Sequence, residues 1–161
     1  RHHYFCLASP LVGQLLENIL AVAGPEPTRI SSWRGGEALR TARTCYDHIA
    51  GRLGVALADA LIDHDYVTLT ADGGELTEAG RTFLGEFGAV PPPGKRVFCR
   101  PCLDWSERRP HIAGRLGASM ADRCFDLGWI ARLRDTRAVA ITPAGQRGFA
   151  ERFGVTVSAN S

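Results

Sequence analysis

Apolar residues follow a helical spacing near the beginning of the chain. They recur every three or four positions, at Leu11, Leu15, Ile19 and Val22, and others lie between them at Val12, Leu16 and Leu20. Ser9 and Pro10 favour a helix start, because serine caps backbone N–H groups and proline fits the first helical position. Residues 24–27, Gly-Pro-Glu-Pro, end the pattern. So wide an apolar stripe predicts a helix that is buried on more than one side, against its own domain or a second copy of the chain.

A second pattern of apolar, polar and glycine positions occurs twice in the rest of the chain. The word His-Ile-Ala-Gly-Arg-Leu-Gly occupies residues 48–54 and again residues 111–117. Four shorter words follow in the same order, residues 58–59, 65–67, 76–80 and 87–88 corresponding to 121–122, 128–130, 141–145 and 153–154. Five corresponding words in one order indicate an internal repeat.

Each copy of the repeat predicts a helix, a β-hairpin and a second helix. The first helix carries apolar residues on one face, at Ile49, Leu53, Leu57 and Leu61 in the first copy and at Ile112, Leu116, Met120 and Cys124 in the second. The hairpins turn at residues 72–74 and near Asp135, and the closing helices begin at Thr77 and at Thr142–Pro143. This order resembles a winged helix.

The first helix of each copy is too short to contain a helix-turn-helix. Only eleven residues separate Gly54 from Tyr66, and eleven separate Gly117 from Trp129. A turn followed by a recognition helix needs about one helical turn more. We therefore predict one continuous helix in each copy, which does not read DNA.

The composition excludes several classes of protein. Apolar residues make up 45% and charged residues 22% of the 161 residues, as in a globular protein, and no stretch approaches the ~20 apolar residues of a membrane span. No secretory signal segment opens the chain. The five cysteines are an odd number, which argues against a secreted disulfide framework and favours a cytoplasmic protein. A net charge of +2 says little about nucleic acid.

Two longer words carry a resemblance to a known family. Residues 44–51 read TCYDHIAG and residues 100–111 read RPCLDWSERRPH. They resemble the C-terminal region of a subset of ArsR/SmtB-type transcription regulators. In that family the preceding part is a winged helix-turn-helix, whose second wing strand is similar to residues 1–7 and whose dimer helix is similar to residues 9–23.

The resemblance implies a homodimer that binds operator DNA. The family's recognition helix has no counterpart here, so the DNA-reading helices are expected upstream of residue 1. Arg1, His2 and His3 would lie near a wing and contact phosphate or the minor groove, or else form a frayed terminus.

The expected fold class is α+β, mainly α, with a dimerisation helix followed by two tandem winged-helix-like repeats. The predicted segments are a wing strand and dimerisation helix (1–24), a linker (25–34), the first repeat (35–90), a linker (91–98), the second repeat (99–157) and a tail (158–161).

Cysteine and histidine offer a site for a soft metal ion, which members of this family often sense. Cys45 and His48 are three residues apart on a predicted helix and would share a face. Cys99 and Cys102 have the CxxC spacing of a zinc half-site, and His111 occupies the place in the second repeat that corresponds to His48. Thiolate and imidazole favour Zn(II) or another soft ion. The alternatives are cysteines that only pack, cysteines that act as a redox or electrophile switch, and histidines that donate to a carboxylate such as Asp104 and fix the contact between the repeats.

A second candidate site is an organic effector pocket in the connector before the second repeat helix. It would be lined by Trp105, Glu107, Arg108 and Arg109, with arginine reaching a carboxylate or phosphate. The alternative is a Glu–Arg network that holds the repeats together, with Trp105 as a plug. Cys124 and Cys6 are expected to be packing residues.

The sequence shows no motif of an enzyme. A Cys45, His48 and Asp47 triad is disfavoured, because neighbouring residues on a helix diverge by about 100°. The leading hypothesis is an effector-responsive regulator. A ligand-free structural or protein-interaction module is the alternative, and a thiol enzyme is a weaker one.

Overall fold

The computed structural model describes residues 8–22 and 36–157. The wing strand, the proposed DNA contacts of Arg1, His2 and His3, the packing role of Cys6, the linker at 25–34 and the tail lie outside the described residues.

The described chain begins with two separate helices and continues as two repeats of one plan. Helix α1 spans Pro10–Val22 and the short α2 spans Gly36–Thr41. Each repeat has a β-hairpin, a helix, a second hairpin and a second helix. In the first repeat these are β1 (Arg43–Cys45), β2 (His48–Ala50), α3 (Gly51–Asp63), β3 (Val67–Leu69), β4 (Gly74–Leu76) and α4 (Glu78–Phe87). In the second they are β5 (Arg100–Leu103), β6 (Pro110–Ala113), α5 (Gly114–Asp126), β7 (Ile130–Arg132), β8 (Val139–Ile141) and α6 (Pro143–Phe153).

The second half of each repeat agrees with the sequence pattern. The predicted hairpins are present as the antiparallel pairs β3–β4 and β7–β8. The predicted caps are also present, since the hydroxyl oxygens of Thr77 and Thr142 accept hydrogen bonds from Gly80 N and Gly145 N at 3.0 Å. The sequence signals at the turns and helix starts were therefore sufficient to predict where these hairpins and helices lie.

The first half of each repeat differs from the prediction of one helix beginning near His48. The helix begins at Gly51, and β1–β2 forms an antiparallel hairpin in front of it. The physical reason is the backbone at Gly51 and Gly114, with φ of 80° and 82°, a left-handed conformation that turns a strand sharply into a helix and suits glycine. The assumption that Cys45 and His48 lie on a helix was therefore wrong.

The two repeats interlock around an approximate two-fold axis. Helix α3 packs on β6 of the second repeat, and α5 packs on β2 of the first. Matching backbone hydrogen bonds also cross between the repeats, from Val139 N to Ala42 O and from Gly74 N to Cys99 O, each 3.0 Å long. The main hydrophobic cluster contains residues from both repeats, and Leu53 of α3 is one of those from the first repeat. The repeats therefore share a core.

Two glycines allow each helix to pack closely against the strand that precedes it, at the place where the helix also meets the other repeat. A Cβ on Gly54 would overlap the carbonyl oxygen of Ile49 and lie 3.5 Å from the Cβ of His111. A Cβ on Gly117 would overlap the carbonyl oxygen of Ile112 and lie 3.0 Å from the Cβ of His48. The glycine that ends the repeated word is therefore explained by packing.

Helix α1 lies apart from this core. It rests against β5, and Gly13 is buried. Its large apolar side chains are exposed, with Leu15 at 58% and Ile19 at 54%. None of the helices in the described ranges is long and apolar enough to cross a bilayer.

We predict that Gly54→Ala and Gly117→Ala each lower the free energy of unfolding by roughly 1–3 kcal/mol, because the methyl group forces the backbone apart. Gly85→Ala is the control: this exposed α4 glycine has no atom within 4 Å of an added Cβ, so alanine should stabilise the helix by up to about 1 kcal/mol. Urea unfolding measures the free energy of unfolding of all three variants. Equal changes in the three would contradict the packing explanation.

Candidate metal centre

Four side chains that can ligate a metal converge where the repeats meet. Each repeat contributes one thiol and one imidazole, from Cys45 and His48 in the first and Cys102 and His111 in the second. One donor atom from each lies within 4.8 Å of all the others. We call these four residues the Cys/His cluster.

The strand register places each pair of ligands. Cys45 is the direct partner of His48 across β1–β2, and Cys102 is the direct partner of His111 across β5–β6. Two residues separate the first pair in sequence and eight separate the second. The two Cys–His pairs therefore occupy equivalent positions in their hairpins, although their spacing in the sequence differs.

The Cys/His cluster is shielded from water. None of its four residues is more than 6% exposed. Ala50 and Ala113, both fully buried, pack with Cys45 and Cys102 in a small apolar cluster of their own. Electrostatic interactions are stronger in such surroundings than in water.

Hydrogen bonding within the cluster favours a thiolate at Cys45. The hydrogen bond with Cys102 is the largest cause of its lowered pKa, burial acts in the opposite direction, and contacts with His111 and His48 lower the pKa further. A thiol that ionises easily is a good metal ligand.

Each histidine of the cluster has a carboxylate behind it. His48 Nδ1 lies 3.3 Å from Asp47 Oδ1, and His111 Nδ1 lies 3.5 Å from Asp104 Oδ2. The two Nε2 atoms face each other at 3.1 Å. A carboxylate that accepts the Nδ1 proton leaves Nε2 as the free ligand atom, the arrangement found behind most metal-bound histidines.

Asp104 is held rigidly by groups from both repeats. Its Oδ2 accepts hydrogen bonds from Gly51 N at 2.6 Å and from Arg43 Nη2 at 2.9 Å, and its Oδ1 accepts from the Ser106 hydroxyl at 2.7 Å. Burial raises the pKa of Asp104, but Arg43 together with the bonds from Gly51 and Ser106 outweighs it and lowers the pKa to about 2. Asp104 is therefore an ionised carboxylate fixed on the Nδ1 side of His111, although at 3.5 Å it does not form a hydrogen bond with Nδ1.

Asp47, the counterpart of Asp104, is held more loosely. It is 40% exposed and forms an ion pair with Arg96, which is itself 61% exposed. Asp47 and His48 are in contact because both belong to the β1–β2 hairpin. The prediction that a helix would make them diverge was therefore wrong.

Cys99 lies outside the Cys/His cluster, although the CxxC spacing suggested it as a ligand. It is buried in the main core, where its Sγ would be 2.6 Å from a Cβ on Gly74. Burial raises the pKa of its thiol to about 11. Cys124 is likewise buried in the core, as expected, and burial raises its pKa to about 12.

The four residues suggested for an effector pocket make contacts within the protein. Arg109 forms a two-fold hydrogen-bonded ion pair with Asp59 of α3, at 2.9 and 2.7 Å. The guanidinium of Arg43 lies 4.5 Å from the ring centre of Trp105. Glu107 accepts a hydrogen bond from the Ser106 hydroxyl and Arg108 N donates to the Asp104 carbonyl. These contacts favour the alternative, a network that holds the repeats together, but the acid that pairs with Arg109 is Asp59 and not Glu107.

Comparison with known proteins gives one clear relative. No family model matches the chain, and no solved structure matches it. A protein of Bacillus subtilis (strain 168), named "Uncharacterized HTH-type transcriptional regulator YdfF", is 34% identical over 161 residues. The match covers 98% of this chain and 71% of the relative.

We predict that Arg43→Ala destabilises the protein by roughly 3–5 kcal/mol, because it leaves the buried Asp104 carboxylate without its cation. Arg109→Ala is the control, since it removes an arginine whose ion pair is largely exposed and should cost about 1 kcal/mol or less. Urea unfolding compares the stabilities of the two variants. A similar loss of stability in both would argue against a buried Asp104 carboxylate that depends on Arg43.

Proposed function

The chain belongs to the HTH-type transcriptional regulators, and on that premise we propose that it acts as a homodimeric, signal-responsive regulator of the ArsR/SmtB type. The observation that carries the regulator role is the 34% identity to YdfF over nearly the whole chain. The ArsR/SmtB assignment rests on the resemblance of residues 44–51 and 100–111. We place the regulator in the cytoplasm, with operator DNA as its partner.

We assign dimerisation to α1. Its exposed large apolar residues are Leu11, Val12, Leu15, Leu16, Ile19 and Val22. A contiguous apolar face of this kind marks an interaction surface. A second copy is the occupant that the family resemblance favours, and Glu17 is the single charged residue in the helix sequence. Two α1 helices packed together would bury apolar side chains of both copies.

We assign signal sensing to the Cys/His cluster. It lies where β2 meets β6, so a ligand bound there contacts both repeats at once. Differential binding to two arrangements of the repeats would shift the dimer between two states. A soft metal ion and a thiol-reactive molecule are the two classes of signal that fit the residues.

A role as a thiol enzyme is disfavoured. His48 does contact both the Cys45 thiol and the Asp47 carboxylate, as a catalytic triad would require. However, the thiol and the imidazole are buried, and the second repeat covers them with Cys102 and His111. A substrate would have to displace one repeat to reach Cys45.

We predict that Leu15→Glu combined with Ile19→Glu converts the dimer to a monomer while leaving the fold intact, because two charges enter an apolar interface. Val90→Glu is the control, an exposed apolar residue outside α1. Light scattering coupled to size exclusion measures the mass. A dimer that survives the double substitution would exclude α1 as the interface.

We predict that the protein occupies discrete sites on its host's DNA. Immunoprecipitation of the native protein with crosslinked chromatin should enrich a small number of promoter regions. The Leu15→Glu and Ile19→Glu variant should lose most of this enrichment, because DNA-binding dimers recognise paired half-sites. Absence of any enriched site would instead favour the structural or protein-interaction module.

A further inference from the structure

We infer that Cys45, His48, Cys102 and His111 together bind one Zn(II) ion in a closed tetrahedral site that links the two repeats. This deepens the proposed function, and its meaning as a signal rests on that function. Metal binding itself can be measured without DNA.

The distances fit such a site. Zinc–sulfur bonds of about 2.3 Å and zinc–nitrogen bonds of about 2.0–2.1 Å place tetrahedral ligands roughly 3.3–3.8 Å apart. The four donor atoms already lie within 4.8 Å of one another, and the two Nε2 atoms are 3.1 Å apart. Small side-chain movements are therefore enough to form the coordination sphere.

The orientation of the histidines also fits a cation. Asp47 and Asp104 lie on the Nδ1 side of His48 and His111, and the two Nε2 atoms point toward each other at 3.1 Å. His48 Nδ1 is within hydrogen-bonding distance of Asp47, whereas His111 Nδ1 has no hydrogen-bond partner among the described residues. With a proton on each Nδ1, both Nε2 atoms would be free to bind a metal ion that lies between them.

The charge and the surroundings suit Zn(II) rather than a hard cation. Two thiolates neutralise a divalent ion, and their two protons pass to solvent when the metal binds. A neutral centre is compatible with the apolar contacts of Ala50 and Ala113. Magnesium and calcium prefer oxygen ligands, whereas sulfur and imidazole select zinc or a similar soft ion.

The site is expected to be closed. All four ligands are protein side chains and all are buried, which is typical of zinc sites that hold structure rather than activate water. Because each repeat supplies two ligands, the ion would connect β2 to β6 across the approximate two-fold axis. Removing the ion would weaken that connection and change how the repeats pack.

Cys99 is excluded by its place in the repeat. It lies three residues before Cys102, and the residue three before Cys45 is Ala42. Ala42 and Cys99 accept equivalent hydrogen bonds from the opposite repeat, through Val139 N and Gly74 N. Both are buried in the main core, so Cys99 occupies a packing position.

The test compares Cys102→Ser with Cys99→Ser, two buried cysteines of the same CxxC word. Elemental analysis of the purified protein should find about one zinc per chain in the wild type and in Cys99→Ser, and little in Cys102→Ser. Replacement of zinc by Co(II) should give the intense absorption of a tetrahedral site with thiolate ligands, weakened in Cys102→Ser. Equal zinc loss in both variants would overturn the assignment of ligands.

Two further measurements keep the inference testable if Cys102→Ser does not fold. Asp47→Asn alters an exposed carboxylate behind His48 and should weaken zinc affinity by roughly 10–100-fold without loss of fold. Chelation should lower the Tm of the wild type, and added zinc should restore it. A wild-type protein that is purified without metal, and whose Tm is unchanged by zinc and by chelator, would overturn the inference.

The outcomes separate the two proposals. Zinc bound as expected, with no enriched DNA sites, would leave the metal centre standing and overturn the regulator. DNA sites that are occupied by a protein unable to bind zinc would overturn the metal centre alone.

Discussion

The close contact between β2 and β6 is the constraint on which the rest of the structure depends. These two strands carry His48 and His111, and the opposite repeat's helix packs against each of them. Gly54 and Gly117 let each helix lie close to the strand of its own repeat at this junction, because a Cβ there would overlap the carbonyl oxygen of Ile49 or Ile112. The shared core, the buried Arg43–Asp104 ion pair and the Cys/His cluster all follow from it.

The two halves of the junction are alike in plan and unlike in detail. Both put a carboxylate behind a histidine, but Asp104 is buried and bonded from several sides, whereas Asp47 is exposed and forms, besides its contact with His48, an ion pair with the surface residue Arg96. The segment between Cys102 and His111 supplies the difference, since it is six residues longer than the one between Cys45 and His48 and brings Trp105 and Arg109 onto the first repeat. The carboxylate on the Nδ1 side of His111 is therefore firmly held, whereas the one on the Nδ1 side of His48 is more easily disturbed.

Sequence reasoning predicted those elements whose signals are local. Thr77 and Thr142 mark helix starts on their own, and the β3–β4 and β7–β8 hairpins show in short apolar runs with turns. The β1–β2 and β5–β6 hairpins were missed because His-Ile-Ala is too short to show strand periodicity and joins smoothly to the apolar spacing of α3 and α5. Only the positive φ of Gly51 and Gly114 separates strand from helix, and a glycine alone does not reveal its φ.

Interlocked packing also has a consequence for how the protein folds. In linear arrays of repeats each unit contacts only its neighbour, and partial unfolding is common. Here α3 covers a strand of the other repeat and α5 does the same in return, so neither half can complete its own hydrophobic interior. We therefore expect the two repeats to fold and unfold together, in one cooperative transition.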